Sequence, residues 1–293
     1  MVKQKTLLLS LTLILCLAST GCAGEQLTQE QIDQIAEDAT EAVTNAETYK
    51  FNMQMLTKQT IIYGNRANEI IEQENYTSTG AIDYTNRVSK IVETLKVTAP
   101  EEGEQEVTME TYITDRWKYT KDNARNLWVK TKISEEIWEA KKQTLVEQQV
   151  ESLGELLGIS AVKLIGSEGA SGADCYILEI MPDIKELNEQ LSQQQILEGC
   201  EECINAEKLA KLFKFKEVST KWWVAKSIYL LMKSDIDALM EMNPESIGST
   251  REDFEKVVLE LSVQIEMYDY NEPISIELPP GALEALEVPS EIK

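Results

Sequence analysis

The sequence contains no histidine. That absence removes Ser-His-Asp and Cys-His catalysis, c-type haem attachment and His-ligated zinc together. Cysteine is scarce as well, with five in 293 residues, and Cys200-Glu201-Glu202-Cys203 plus Cys175 supply too few ligands for the usual Cys₄ zinc or iron–sulfur site. Positive charge is in deficit: 28 Lys and Arg stand against 51 Asp and Glu, a formal net charge of −23. A surface of that sign repels nucleic acid and anionic lipid headgroups, which argues against a polyanion partner. There is no internal repeat and no Pro- or Ser-rich linker, so one domain is expected rather than two. No cofactor is expected, and no enzymatic activity.

The N-terminus carries a positive region at Lys3 and Lys5, then an apolar run from Leu7 to Leu17, then Leu17-Ala18-Ser19-Thr20-Gly21-Cys22. The run falls short of the about 20 residues needed for a comfortable bilayer crossing, and its layout fits an export signal. The segment resembles a prokaryotic lipoprotein signal peptide, in which the small residue Gly21 precedes the cysteine that is acylated and becomes the mature N-terminus. Ser19 departs from the leucine usual at that position. The resemblance implies a signal peptide over residues 1–21, lipid attachment at Cys22, a short tether over 22–27 and a folded domain over 28–293. Cys22 would then hold the protein on a cell membrane, facing outside the cytoplasm. Thr28 and Gln31 form a capping-box pair only six residues after Cys22, so at ~3.5 Å per residue the tether spans about 20 Å.

What is abundant is alternation. Val257, Leu259, Leu261, Val263, Ile265 and Met267 are apolar while Glu260, Ser262, Gln264 and Glu266 between them are polar. Successive strand residues face opposite sides, so this pattern predicts an antiparallel sheet with one buried face. Burial of six such side chains stabilises by roughly 9–18 kcal/mol, comparable to the net stability of a whole domain. That face needs a cover.

The rest of the chain supplies candidates. Apolar Ile32, Ile35, Ala36, Ala39 and Val43 recur at helical spacing between Thr28 and Ala46, and the periodicity predicts an amphipathic helix lying on a sheet. Strands are expected at Tyr49–Met55, Gly80–Tyr84, Val88–Val97, Val107–Ile113, Trp117–Tyr119 and Leu127–Ile133, a meander of short segments. Thr60–Gln73 is ambiguous. Residues 134–157 read as helical, and Ile159–Ile165 and Cys175–Met181 as strands around a Gly/Ser-rich turn at Gly166–Gly172. Two helices broken near Gly199 are expected from Pro182 to Phe213, then a strand at Val218–Val224. Ile228, Leu230 and Met232 are expected to share a face with Ile236, Ala238 and Met240, and Asn243–Ser249 reads as a turn. A short last helix begins at Pro279-Pro280. The fold class is α+β.

Candidate chemistry is thin. Cys200 and Cys203 sit in a helical, acidic context that raises a thiol pKa, so a structural disulfide among Cys175, Cys200 and Cys203 is favoured over a redox site. Asp235 with Asp237, and Asp269 with Glu272, are carboxylate pairs of the kind that bind calcium or share a proton, but with 51 acids in the chain a solvated face explains them. Asn75-Tyr76-Thr77 is a glycosylation sequon.

Several soft motifs follow one order: Tyr49-Lys50-Phe51-Asn52-Met53, Gly80-Ala81-Ile82-Asp83-Tyr84, Glu110 to Asp115 with Trp117, Trp128-Val129-Lys130, Trp223 to Leu230, and Tyr270-Asn271-Glu272-Pro273 followed by Ile274, Ile276, Leu278 and Pro279. In this order the chain resembles the LolA/LppX-like superfamily of extracytoplasmic lipoprotein and lipid carriers. The resemblance implies a curved antiparallel β half-barrel with helices packed on its concave face, enclosing an apolar cavity for a lipid or lipoprotein acyl chain. Cavity candidates are Val257, Leu259, Leu261, Val263, Ile265 and Met267, with Ile228, Leu230 and Met232 as a partner face. The competing expectation is a surface or sensory lipoprotein whose sheet is filled by its own helices and whose acidic exterior meets a protein partner. A thiol redox role for Cys200 and Cys203 is the weakest reading.

Overall fold

The computed structural model describes residues 27–63, 69–100, 103–114, 116–123, 126–133, 156–193, 213–242 and 255–289. Helix α1 (Gln29–Thr44) leads into strands β1 (Thr48–Ile62), β2 (Glu69–Asp83), β3 (Val88–Ala99), β4 (Gly103–Ile113), β5 (Trp117–Asp122) and β6 (Leu127–Lys132). Then follow β7 (Ser160–Ala170), β8 (Ala173–Pro182), helix α2 (Ile184–Gln193), β9 (Phe213–Ala225), β10 (Leu231–Met242) and β11 (Lys256–Tyr268). The chain closes with a single helical turn α3 (Pro280–Leu283) and a short β12 (Leu286–Val288).

The twelve strands of the described residues form one sheet in the order β12-β6-β5-β4-β3-β2-β1-β11-β10-β9-β8-β7. Two meanders, β1 to β6 and β7 to β11, are joined where the late strand β11 pairs antiparallel with the first strand β1, from Lys50↔Tyr268 to Ile62↔Lys256. The alternating stretch 257–267 therefore lies in the interior of the sheet, between β1 and β10. The sheet curves as a half-barrel without closing, and β7 and β12 are its edges. This is the expected α+β architecture.

Helix α1 begins at the capping box read from the sequence. The Thr28 hydroxyl accepts from the Gln31 N–H at 3.3 Å, and the Gln31 side chain accepts from the Thr28 N–H at 2.8 Å. Its buried stripe, Ile32, Ile35, Ala36 and Ala39, packs on Val162, Leu178, Ile180, Trp222, Val224 and Leu231. Register puts these sheet residues on one face: Leu178 pairs with Trp222, Trp222 with Ser234, and Ser234 with Ile265. The apolar side of β11 thus lies on the same face as α1, and Met267 touches the edge of that cluster.

The structure corrects several sequence expectations. The hairpin of β7 and β8 runs through the expected turn at 166–172 and closes on Ser171 and Gly172, whose φ of +46° and +83° match a two-residue type I′ turn. Gly166 instead takes part in a register shift inside β7. The ambiguous stretch 60–73 supplies the end of β1 and the start of β2. β12 was not expected: it pairs in parallel with β6, Leu286 opposite Val129. Expectations for the signal segment, Cys22, helix 134–155, Cys200, Cys203 and the turn at 243–249 lie outside the described residues.

Candidate functional site

The nine expected cavity residues do not form one wall. Val257, Leu259, Leu261, Val263 and Ile265 pair with Met242, Met240, Ala238, Ile236 and Ser234 on one side, and with Ile61, Gln59, Thr57, Met55 and Met53 on the other. Leu230 and Met232 are buried in a separate cluster with Cys175, Trp223 and Ala225. By strand alternation Trp223 and Ala225 point away from Trp222 and Val224, and hence away from α1. Ile228 lies in the turn before β10 and is 54% exposed. The separation comes from a register shift between Leu231 and Lys233, which breaks the simple alternation assumed from Ile228 to Met240.

The apolar face that remains is broad. Phe51, Met53 and Met55 of β1 extend it from β11, and Tyr76 of β2 and Leu95 of β3 extend it further. Helix α1 covers its β7–β10 side. Of the β11 set only Val257 is fully buried; Leu259, Leu261, Val263, Ile265 and Met267 are half-buried. Carboxylates interrupt this face beyond β1, with Glu72 opposite Gln59, Glu74 opposite Thr57 and Glu93 opposite Ser78. Glu74 accepts a hydrogen bond from the Thr57 hydroxyl at 3.0 Å, and Glu93 accepts one from the Tyr76 hydroxyl. Burial, and then that bond, push the Tyr76 phenol pKa upward.

At the strand ends above this face sits an aromatic group. Tyr49 lies 6.3 Å from Phe51, 6.2 Å from Tyr84 and 6.0 Å from Tyr270, centroid to centroid. The Tyr270 hydroxyl donates to the Leu231 carbonyl at 2.7 Å. Desolvation pushes the Tyr49 and Tyr270 phenols well above the ordinary tyrosine value, and Tyr84 adds to the effect at Tyr49.

The described residues also form hollows. A groove of about 950 Å³ crosses the sheet from β3 to β8, six strand spacings or about 29 Å. Its lining includes Leu56, Asn75, Lys96, Ser219, Asp237 and Ser262. Register places these side chains on the polar face, opposite α1. Among the expected cavity residues it borders Leu261. Lys58 is paired with Glu260 at 2.8 Å, and Lys96 with Glu104 at 3.0 Å, so the cations of this groove are already matched. A second cleft of about 610 Å³ lies between α1 and residues 157–162, beside Asp33, Glu37 and Glu41.

The carboxylate pairs noted in the sequence have local partners. Asp235 and Asp237 share a face of β10, and Asp235 is held by Lys233 at 3.1 Å. Asp269 is paired with Lys50 at 2.8 Å. Among the described residues no three His, Cys, Asp or Glu side chains gather as metal ligands. Cys175 is a free, fully buried thiol whose pKa is raised by desolvation. Asn75 of the sequon lies within β2 with its side-chain oxygen buried.

The fold and its apolar face define an open antiparallel half-barrel carrying a helix on that face. The chain belongs to DUF6612, a family of unknown function, whose pattern matches residues 31–287. No curated protein matches it. Among solved structures, LprF from Mycobacterium bovis is similar with 12% identity and a TM-score of 0.43, over 85% of this chain and 97% of that one. Mycobacterium tuberculosis lipoprotein LppX shows 10% identity and a TM-score of 0.38, over 85% of this chain and 100% of LppX. No helix among the described residues is long and apolar enough to cross a membrane.

Proposed function

We propose that this protein is an extracytoplasmic lipoprotein, held to a prokaryotic membrane through acylated Cys22, that binds a lipid acyl chain on the apolar face of its half-barrel and performs no covalent chemistry. The observation that carries this reading is the half-buried state of Leu259, Leu261, Val263 and Ile265, in the interior of the sheet and beside the cover provided by α1. An acyl chain laid against them gains about 25 cal/mol for each Å² of apolar surface removed from water. Thr57–Glu74 and Tyr76–Glu93 mark the polar limit of that surface, where a hydrated headgroup would lie.

The test is direct. The chain is purified without its anchor, extracted with organic solvent, and the extract is analysed by mass spectrometry. Stoichiometric lipid, or saturable uptake of a fluorescent fatty acid, is the expected result. A clean extract with no uptake overturns the reading and leaves that face to the chain's own residues or a protein partner. Acylation of Cys22 is checked separately by the mass of the mature N-terminal peptide.

A further inference from the structure

The net charge of −23 conceals a local reversal. From Arg116 to Lys132 the sequence holds six basic residues and one acidic residue, Asp122. Folding brings three of them to one surface and adds Lys90 from β3. Register through β3, β4, β5 and β6 places Lys90, Lys121, Lys130 and Lys132 on the same face of the sheet, the polar face opposite α1. Between them on that face stand Tyr112, Trp117, Tyr119 and Trp128.

Cations and rings are interleaved. The Lys130 ammonium lies 4.9 Å from the centre of the Trp117 ring, and the Lys90 ammonium 5.4 Å from that of Tyr112. Neither pairing neutralises a charge. Among the described carboxylates none forms an ion pair with these four lysines, whereas Lys50, Lys58, Lys96 and Lys256 elsewhere are all matched. The Glu110 carboxylate is engaged by the Tyr112 hydroxyl at 2.6 Å. Glu284 and Glu287 lie on the same edge and subtract from the positive potential.

An apolar element completes the surface. Helix α3 sits against Trp128 at Gly281, with Ala282 fully buried beneath it. Its Leu283 is nevertheless 69% exposed, whereas Leu286 of the adjoining edge strand, opposite Val129, faces the other side of the sheet. Lysines with long apolar stems, tryptophan and tyrosine rings, and a protruding leucine are the side chains that partition into a headgroup layer. A soluble polyanion would use the lysines but gain nothing from Leu283.

We infer that the β5–β6–α3 edge is a docking surface for a membrane rich in anionic phospholipid, which fixes the orientation of the body on its bilayer. This deepens the proposed function by adding a second contact to the acyl anchor, and it rests on that reading only in requiring a bilayer nearby. Each lysine near an anionic surface adds to the attraction, which decays within a Debye length of about 10 Å at 0.1 M salt.

The experiment uses the chain from residue 23 onward, free of the apolar signal segment and of the acylated Cys22, and vesicles of phosphatidylcholine alone or mixed equally with phosphatidylglycerol. Co-sedimentation with the mixed vesicles, weakened by salt, is expected. The triple variant Lys121→Glu, Lys130→Glu, Lys132→Glu should bind them about 100-fold more weakly, and Leu283→Ser several-fold more weakly, whereas Lys58→Glu on the central sheet should not. Circular dichroism confirms that each variant is folded. Equal binding to both vesicle types, or binding that survives the triple variant, overturns the inference. So does equally tight binding of heparin that Leu283→Ser leaves unchanged, which would assign the surface to a soluble polyanion. Loss of Cys22 acylation in the wild type would defeat the anchor without touching any of these outcomes.

Discussion

The side-chain oxygen of Asn271 accepts a hydrogen bond from the backbone N–H of Glu47 at 2.9 Å, across 224 positions of sequence. Asn271 itself has φ +56° and donates its own N–H to the Thr48 carbonyl at 2.9 Å. The Thr48 hydroxyl donates to the Glu272 carbonyl at 2.8 Å. The motif Tyr270-Asn271-Glu272-Pro273 is thus the clasp that locks the end of β11 onto the start of β1 and joins the two meanders. Asn271→Ala should cost about 1–3 kcal/mol, by loss of the bond and by strain in the left-handed region. Asn271→Gly should cost less, because it relieves only the second term. Urea unfolding of the two variants separates these contributions.

Gly80 supports a second long-range contact. A Cβ placed there would stand 2.6 Å from Cζ of Phe51 and 3.0 Å from the Lys90 carbonyl oxygen. Gly80→Ala should therefore destabilise by about 1–3 kcal/mol through overpacking. Trimming the ring in the double variant Gly80→Ala, Phe51→Leu should recover part of that loss, measured as a coupling energy in a double-mutant cycle.

Trp222 is 2% exposed and lies under α1 in the main core. Trp222→Ala should lower stability by about 3–5 kcal/mol. Amide exchange in 29–44 should accelerate before that of the central strands, because the packing of Ile32, Ile35 and Ala36 is what holds the helix to the sheet.

Leu261 distinguishes a dry core from a ligand wall. It is half-buried, unlike Leu178 or Val224, which are completely buried. Leu261→Asp is expected to leave the cooperative unfolding transition in place while reducing fatty-acid uptake at least tenfold. Unfolding of the variant at room temperature would show that the face is sealed by the chain itself.

Stability should decline at both ends of the pH scale for different reasons. Tyr49 and Tyr270 are shifted upward from 10.0 by desolvation, so above pH 10 the unfolded chain releases protons that the folded chain retains. Folded stability is therefore full below about pH 10 and falls as pH rises beyond it, and Tyr270→Phe should flatten that alkaline limb. At the acid end, the Glu241 carboxyl is held below its ordinary 4.5 by hydrogen bonds from Lys256 and Lys216. Its contribution is present above that value and is lost as pH falls through the lowered one, so Glu241→Gln should reduce the steepness of the acid limb in denaturation followed by tryptophan fluorescence.

Much of this architecture was legible in residue order. The period of α1 and its Thr28–Gln31 cap, and the alternation from Val257 to Met267, are local signals, because side-chain direction in a helix or strand depends only on position along the element. The absence of histidine likewise closed off whole classes of chemistry before any contact was known. Local signals could not show that β11 returns to pair with β1, since that pairing depends on bonds between residues some 200 positions apart, such as Glu47 with Asn271. Nor could they reveal the shift at Leu231 and Lys233 that sends Met232 to a different cluster from Trp222, because an extra strand residue changes facing without changing composition. Charge followed the same division. The sequence by itself determined a strongly acidic chain, and only the tertiary structure collected Lys90 with Lys121, Lys130 and Lys132 on one face, because electrostatic potential depends on where charges stand in space and not on their sum.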